Sequence, residues 1–141
     1  MSVTLPDHVR RFLAEVPRVA AVATIDPDGK PRQAVTWFRL DDDGTLVLNS
    51  RPPRRWPANL ERDGRVALAV TDAADDLRWV GLTGVITEVI HDQTIAQADI
   101  AEMAVRYEGD EAARESIAEF RTFHRITFRA RITGFHDHLE D

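Results

Sequence analysis

The stretch that decides the fold is Leu46–Leu60, LVLNSRPPRRWPANL. Its first five residues read as a strand, and its last four open a helix. Between them stand three arginines, three prolines and a tryptophan. Pro57 suits the start of a helix, where its missing N–H costs nothing. A helix start presents unpaired backbone N–H groups and a positive dipole end. Ser50, Arg51, Arg54 and Arg55 beside it make an anion site, because guanidinium groups grip phosphate or carboxylate in pairs of hydrogen bonds. Asn49 and Ser50 add uncharged hydrogen bonds, and Asn59 turns its amide to the same place or caps the loop. The plainer reading is a solvated loop whose arginines pair acids such as Glu61 and Asp63. Trp56 either anchors the helix on the core or forms a flat wall against a ring.

The flanks read as strands. Arg18–Ile25 and Arg32–Leu40 form a hairpin across the turn Asp26-Pro-Asp-Gly29, in which proline presets φ and glycine supplies the positive φ. Asp41-Asp-Asp-Gly44 turns the chain into Thr45–Ser50, which gives three strands in meander order. Arg65–Thr71 and the long run Leu77–Ile90 follow, the latter with Gly81 and Gly84 marking a bend or bulge. His124–Phe135 is the last strand. Helices are expected over Pro6–Val16, over a short segment after Trp56, over Asp92–Tyr107 with Asp92 as N-cap, and over about Asp110–Phe120. The expectation is one domain, 1–141, mainly β, with six antiparallel strands closing into a barrel.

Composition narrows the function. The chain has 141 residues, 43% hydrophobic and 30% charged, which suits one soluble globule with a real core. A net charge of −6 argues against a nucleic-acid partner. There are no cysteines, so disulfides and thiolate chemistry are excluded, and a cytoplasmic location is expected. No apolar run reaches the roughly 20 residues of a membrane span. The opening MSVTLPDHVRR lacks the apolar segment of a secretory signal. Lys30 is the only lysine. No serine sits in a nucleophile elbow, and the histidines are scattered. His136-Asp-His138 has ligand character but is expected in an exposed C-terminal tail. Tyr107 lies on the apolar helix face, where core packing outweighs proton donation. Trp37, Trp56 and Trp79 are each a core residue or a wall for a planar ligand.

The ordered set VAAVATIDPDGKPRQAVTWF, LVLNSRPPRRWPANLERDGRVALAV and LRWVGLTGVITEV resembles the split-barrel flavin and deazaflavin oxidoreductases related to pyridoxamine 5′-phosphate oxidase. The resemblance covers about Val19 to Phe135, and Asn59-Leu60 looks most like the branch using the deazaflavin coenzyme F420. It implies a six-stranded split barrel and a homodimer with the cofactor in the groove between subunits. It further implies that Ser50, Arg54, Arg55 and Asn59 hold the phosphate and tail. Gln33, Val35 and Trp37 then lie along the ring, and Trp79 comes from the partner. The sequence departs from the pattern at Pro53 and Trp56, where relatives commonly carry glycine and lysine. The implied activity is hydride transfer between F420 and a small conjugated organic substrate. The alternatives are an FMN-dependent oxidase or reductase, and a split barrel that binds a cofactor or haem without turnover.

Overall fold

The computed structural model describes residues 2–139. Helix α1 (Asp7–Glu15) leads into strands β1 (Ala20–Ile25), β2 (Pro31–Thr36), β3 (Arg39–Leu40) and β4 (Leu46–Ser50). Then come α2 (Arg55–Arg62), β5 (Arg65–Asp72), β6 (Asp75–Ile90), α3 (Gln93–Glu108), α4 (Asp110–Phe120) and β7 (Ile126–His138). The strands form one antiparallel sheet in the order β2-β1-β5-β6-β7-β4-β3.

Both edges of this sheet come from one sequence run. β2 ends at Thr36 and β3 begins at Arg39, so Trp37 and Phe38 join the two edges covalently. The seven strands are therefore the six expected, with the second broken in the middle. The first half pairs back to β1 and the second half pairs forward to β4, which preserves the meander. The break has a tertiary cause. The Phe38 N–H donates to the Tyr107 hydroxyl at 3.1 Å rather than to a neighbouring strand. That hydroxyl in turn donates to the Arg18 carbonyl at 2.6 Å. Phe38 is buried inside the curl, while Trp37 stacks on the Tyr107 ring at 5.0 Å between centroids. Tyr107 thus acts as the clasp of the barrel, and burial raises its pKa, so the phenol stays protonated.

The inward rows of β1, β4, β5, β6 and β7 supply Val22, Leu48, Leu68, Val80 and Phe128 to the core. Helix α1 closes one side with Val9, Phe12 and Leu13, and α2 adds Trp56 and Leu60. A smaller cluster joins Val47 to Ile100 and Met103 of α3. Asp92 caps α3 as expected, accepting from the Thr94 N–H at 2.9 Å. The bulge expected near the β6 glycines is a register shift between Thr83 and Gly84. Helix α2 starts at Arg55, two residues before Pro57, which still lies in the first turn where proline is tolerated.

The last strand corrects one expectation. β7 runs to His138, so His136 and His138 are strand residues and not tail. Asp137 fixes them there. Its carboxylate meets His8 Nε2 of α1 at 2.5 Å and accepts from the Leu139 N–H at 3.0 Å.

Candidate functional site

A trough of about 350 Å³ opens between the β1–β2 edge and the α3–α4 pair. Its apolar end is walled by Val19, Val35, Trp37, Ile100 and Phe120. Asn49, Arg54 and Arg125 form the polar end. The broken strand builds this shape. Where the chain leaves β2 it carries Trp37 off the sheet and against α3, with Phe120 of α4 edge-on at 6.3 Å.

Arg125 is the residue that sequence reasoning missed. It immediately precedes β7, and it is only 3% exposed. Burying a cation without a counter-charge is expensive. Yet no carboxylate among the described residues pairs with it within ion-pair distance. Its Nε–H donates to Asn49 Oδ1 at 2.9 Å. Asn49 Nδ2 donates to Thr127 Oγ1 at 3.1 Å, and Thr127 Oγ1 donates to Asp99 Oδ2 at 2.8 Å. The nearest carboxylate on this chain of bonds is thus three hydrogen bonds away, and Arg39 already holds it at 2.9 Å. Burial first, then the charges of Arg54 and Arg51, push the Arg125 pKa down to about 10. Arg54 is likewise lowered, by desolvation and then by Arg51. Two guanidinium groups at one end of an apolar trough, held without a carboxylate, form a receptor for an anion.

The residues expected from sequence divide into three groups. Val35, Trp37, Asn49 and Arg54 come together on the trough. Gln33 lies two residues from Val35 on the same exposed face of β2, just beyond the wall. Asn49 is 4% exposed, and its amide is committed to Arg125, Thr127 and the Ala96 carbonyl, so it positions Arg125.

A second group is turned elsewhere. Arg55 lines a separate groove with Asp26, Asp28 and Arg62, whereas Arg54 lines the trough. Arg51 folds over the Phe123 ring at 3.9 Å. Trp79 pairs with His138 at the far end of β7, whereas Ser50 pairs with Ile126 at the near end. Trp79 is not among the residues that line the trough; its ring packs against His136 and His138.

The third group is buried. Trp56 is 6% exposed and tilts against Phe128, so its indole belongs to the core and offers no face to a ligand. Asn59 donates to Thr24 Oγ1 at 3.0 Å and to Asp26 Oδ1 at 2.8 Å, and accepts from Arg62 at 3.1 Å. It ties α2 to the end of β1, which leaves no donor for a ligand. Ser50 is fully buried, and its hydroxyl has no partner among the described residues.

Arg125 left a faint trace in the sequence. It is one of several arginines around the start of the last strand, and only the fold shows that it faces Asn49. Nothing in spacing alone separates it from Arg121 or Arg129. Among the described residues, no group of three or more metal-ligating side chains occurs, and no helix is long and apolar enough to cross a membrane.

The curled antiparallel sheet with flanking helices defines a split-barrel protein. The family model described as pyridoxamine 5′-phosphate oxidase matches residues 5–133, so the chain belongs to that family. Among solved structures, it is similar to an F420 reductase at 24% identity, over 89% of this chain and 94% of that one, with a TM-score of 0.72. A conserved hypothetical protein from Mycobacterium tuberculosis is 21% identical, over 97% and 88% of the two chains, with a TM-score of 0.72. The haem storage protein HutZ from Vibrio cholerae is 18% identical, over 96% and 95%, with a TM-score of 0.69. At these identities the structural likenesses establish the fold. A search of curated proteins found no match.

Proposed function

We propose that this protein is an F420-dependent oxidoreductase. In this reading it acts as a homodimer, holds the cofactor in the groove between subunits, and transfers hydride to a small conjugated organic substrate. The observation that carries the reading is the pairing of Arg125 and Arg54 with an apolar trough backed by Trp37. A ligand that fits has a planar ring and an anionic arm. Arg54 and Arg125 bind the arm, Asn49 orients Arg125, and Val35 and Trp37 pack along the ring. No carboxylate or imidazole lines the trough. The chain's own contribution is therefore to bind, orient and exclude water, while a reduced deazaflavin supplies the hydride chemistry when bound.

The dimer has support in the outer face of the sheet. Val35, Ala21, Ala69, Gly81 and His136 are consecutive partners across five strands. The next row is Gln33, Ala23, Ala67, Thr83 and Gly134. The alanines, Gly81 and Thr83 at the centre of these rows suit close packing against a second copy, and on this reading Trp79 of one subunit approaches the trough of the other.

The test is fluorescence titration of the purified protein with F420 and, separately, with FMN. Saturable F420 binding, with hydride passing from the reduced coenzyme to a conjugated acceptor, supports the reading. Binding of FMN alone moves the protein to the flavin branch of the family. A second reading, a cofactor or haem carrier without turnover, draws on the absence of an acid or base along the trough. It predicts tight binding and no transfer to any acceptor.

A further inference from the structure

We propose that His136 and His138 form a chelating site for a divalent transition-metal ion, with Cu²⁺ as the best-matched ion. The site lies on the outer face of β7, outside the trough lining of its own chain, and on the homodimer reading it borders the partner subunit. Residues i and i+2 of a strand project from the same face. Both imidazoles are exposed, and their ring centroids are 5.8 Å apart with planes 23° from parallel. Two imidazoles bound to one ion at about 2.0 Å, in square-planar or tetrahedral geometry, hold their centroids about 4.5–5 Å apart. The rings stack in this structure, so rotation about their exposed χ angles is what turns one nitrogen of each toward a shared ion.

The strand that presents the pair is held in place. Asp137 between them points to the opposite face, where His8 and the Leu139 N–H fix its carboxylate. Beside the pair, the Trp79 ring lies 4.7 Å from His136 and 5.8 Å from His138. Gly81 makes room for that indole, because a Cβ at Gly81 stands 3.1 Å from Trp79 Cζ3 and 3.5 Å from His136 Cβ. The result is a two-nitrogen chelate with an aromatic wall and open coordination positions for water or a further ligand. Imidazole with open tetragonal positions favours Cu²⁺ by ligand type and by affinity order. Ring nitrogens must be unprotonated to bind, so the ion releases protons from any imidazolium present.

The metal alone is the probe. Cu²⁺ bound here lies next to Trp79 and far from the core Trp56. Titration of the full chain with Cu²⁺ should quench the Trp79 share of the fluorescence saturably at one equivalent, and Trp79→Phe should remove the quenched component. His136→Gln and His138→Gln should each weaken binding by about tenfold or more, because the second ligand adds through effective concentration. Electron paramagnetic resonance of the one-equivalent complex should show two imidazole nitrogens. His91 and His124 form the other close imidazole pair, at 2.9 Å between nitrogens, and His124→Gln should leave the titration unchanged. Loss of binding in only one of the two β7 variants, in neither, or in His124→Gln overturns the proposal.

Discussion

Arg125 shows how a single buried charge reports a ligand. Its pKa is lowered to about 10, so charging it in the fold costs stability at every pH below that value. A bound anion offsets that cost. Inorganic phosphate is therefore expected to raise the thermal midpoint of the wild type and to leave that of Arg125→Met unchanged, as scanning fluorimetry can measure. Cofactor affinity should hold through neutral pH and fall as pH rises through about 10, where the guanidinium loses its proton. Each charge-assisted bond is worth ~1.5–3 kcal/mol, so Arg125→Met should weaken an anionic ligand by about ten- to a hundredfold. Asn59 carries the opposite lesson. It is 2% exposed, and its amide joins Thr24, Asp26 and Arg62. Asn59→Ala should cost about 2–3 kcal/mol in denaturant unfolding while ligand affinity per folded molecule stays constant. A drop in affinity without a drop in stability contradicts that assignment.

At the scale of elements, the β6–β7 ladder is the largest pairing and carries its own constraint. Gly84 sits at the register shift, where an added Cβ stands 2.8 Å from the Arg131 carbonyl oxygen. Backbone does not yield as a side-chain tip does. Gly84→Ala should therefore destabilise by roughly 1–3 kcal/mol, with a lower denaturant midpoint and an unchanged m-value. The strands and helices themselves were legible from alternation, β-branching and turn chemistry. Gly29 and Gly44 adopt φ of 87° and 88° in the two Asp-rich turns. The break at Trp37-Phe38 was not legible, because the run Arg32–Leu40 reads as one strand. It needs Tyr107, about seventy residues away, to take the Phe38 N–H. The extension of β7 to His138 was hidden in the same way, since its pairing partners are in β6 and its anchor is in α1.

The whole molecule presents one broad face lined by alanine, glycine and threonine on β1, β5 and β6 and flanked by Val35 and Gln33 on β2 and by His136 on β7. On the homodimer reading, sedimentation should give a mass twice the 15.9 kDa of the chain. Ala69 is exposed at the centre of that face, opposite Ala21 and Gly81. Ala69→Arg should yield a folded monomer with the circular dichroism spectrum of the wild type. A dimer that survives this change argues for another interface. If the groove between subunits holds the cofactor, the monomeric variant should also lose affinity for it.

The sequence by itself determined the mainly β class, the hairpins and the caps, because these rest on periodicity and on short-range turn and capping chemistry, while the family was legible as a resemblance carried by three ordered segments. It also marked the basic junction as unusual. Which of its arginines share a site was decided only by the tertiary structure. Arg54 and Arg55 are neighbours in the chain, yet they line different grooves. Arg125 stands far away in sequence and closes the trough. Trp56 and Asn59, each with polar or aromatic promise, were taken by the core and by the α2–β1 tie. Local sequence sets what a side chain is able to do. Burial and the identity of its partners, fixed by strand order and barrel closure, decide whether that capacity is already used or remains open to a ligand.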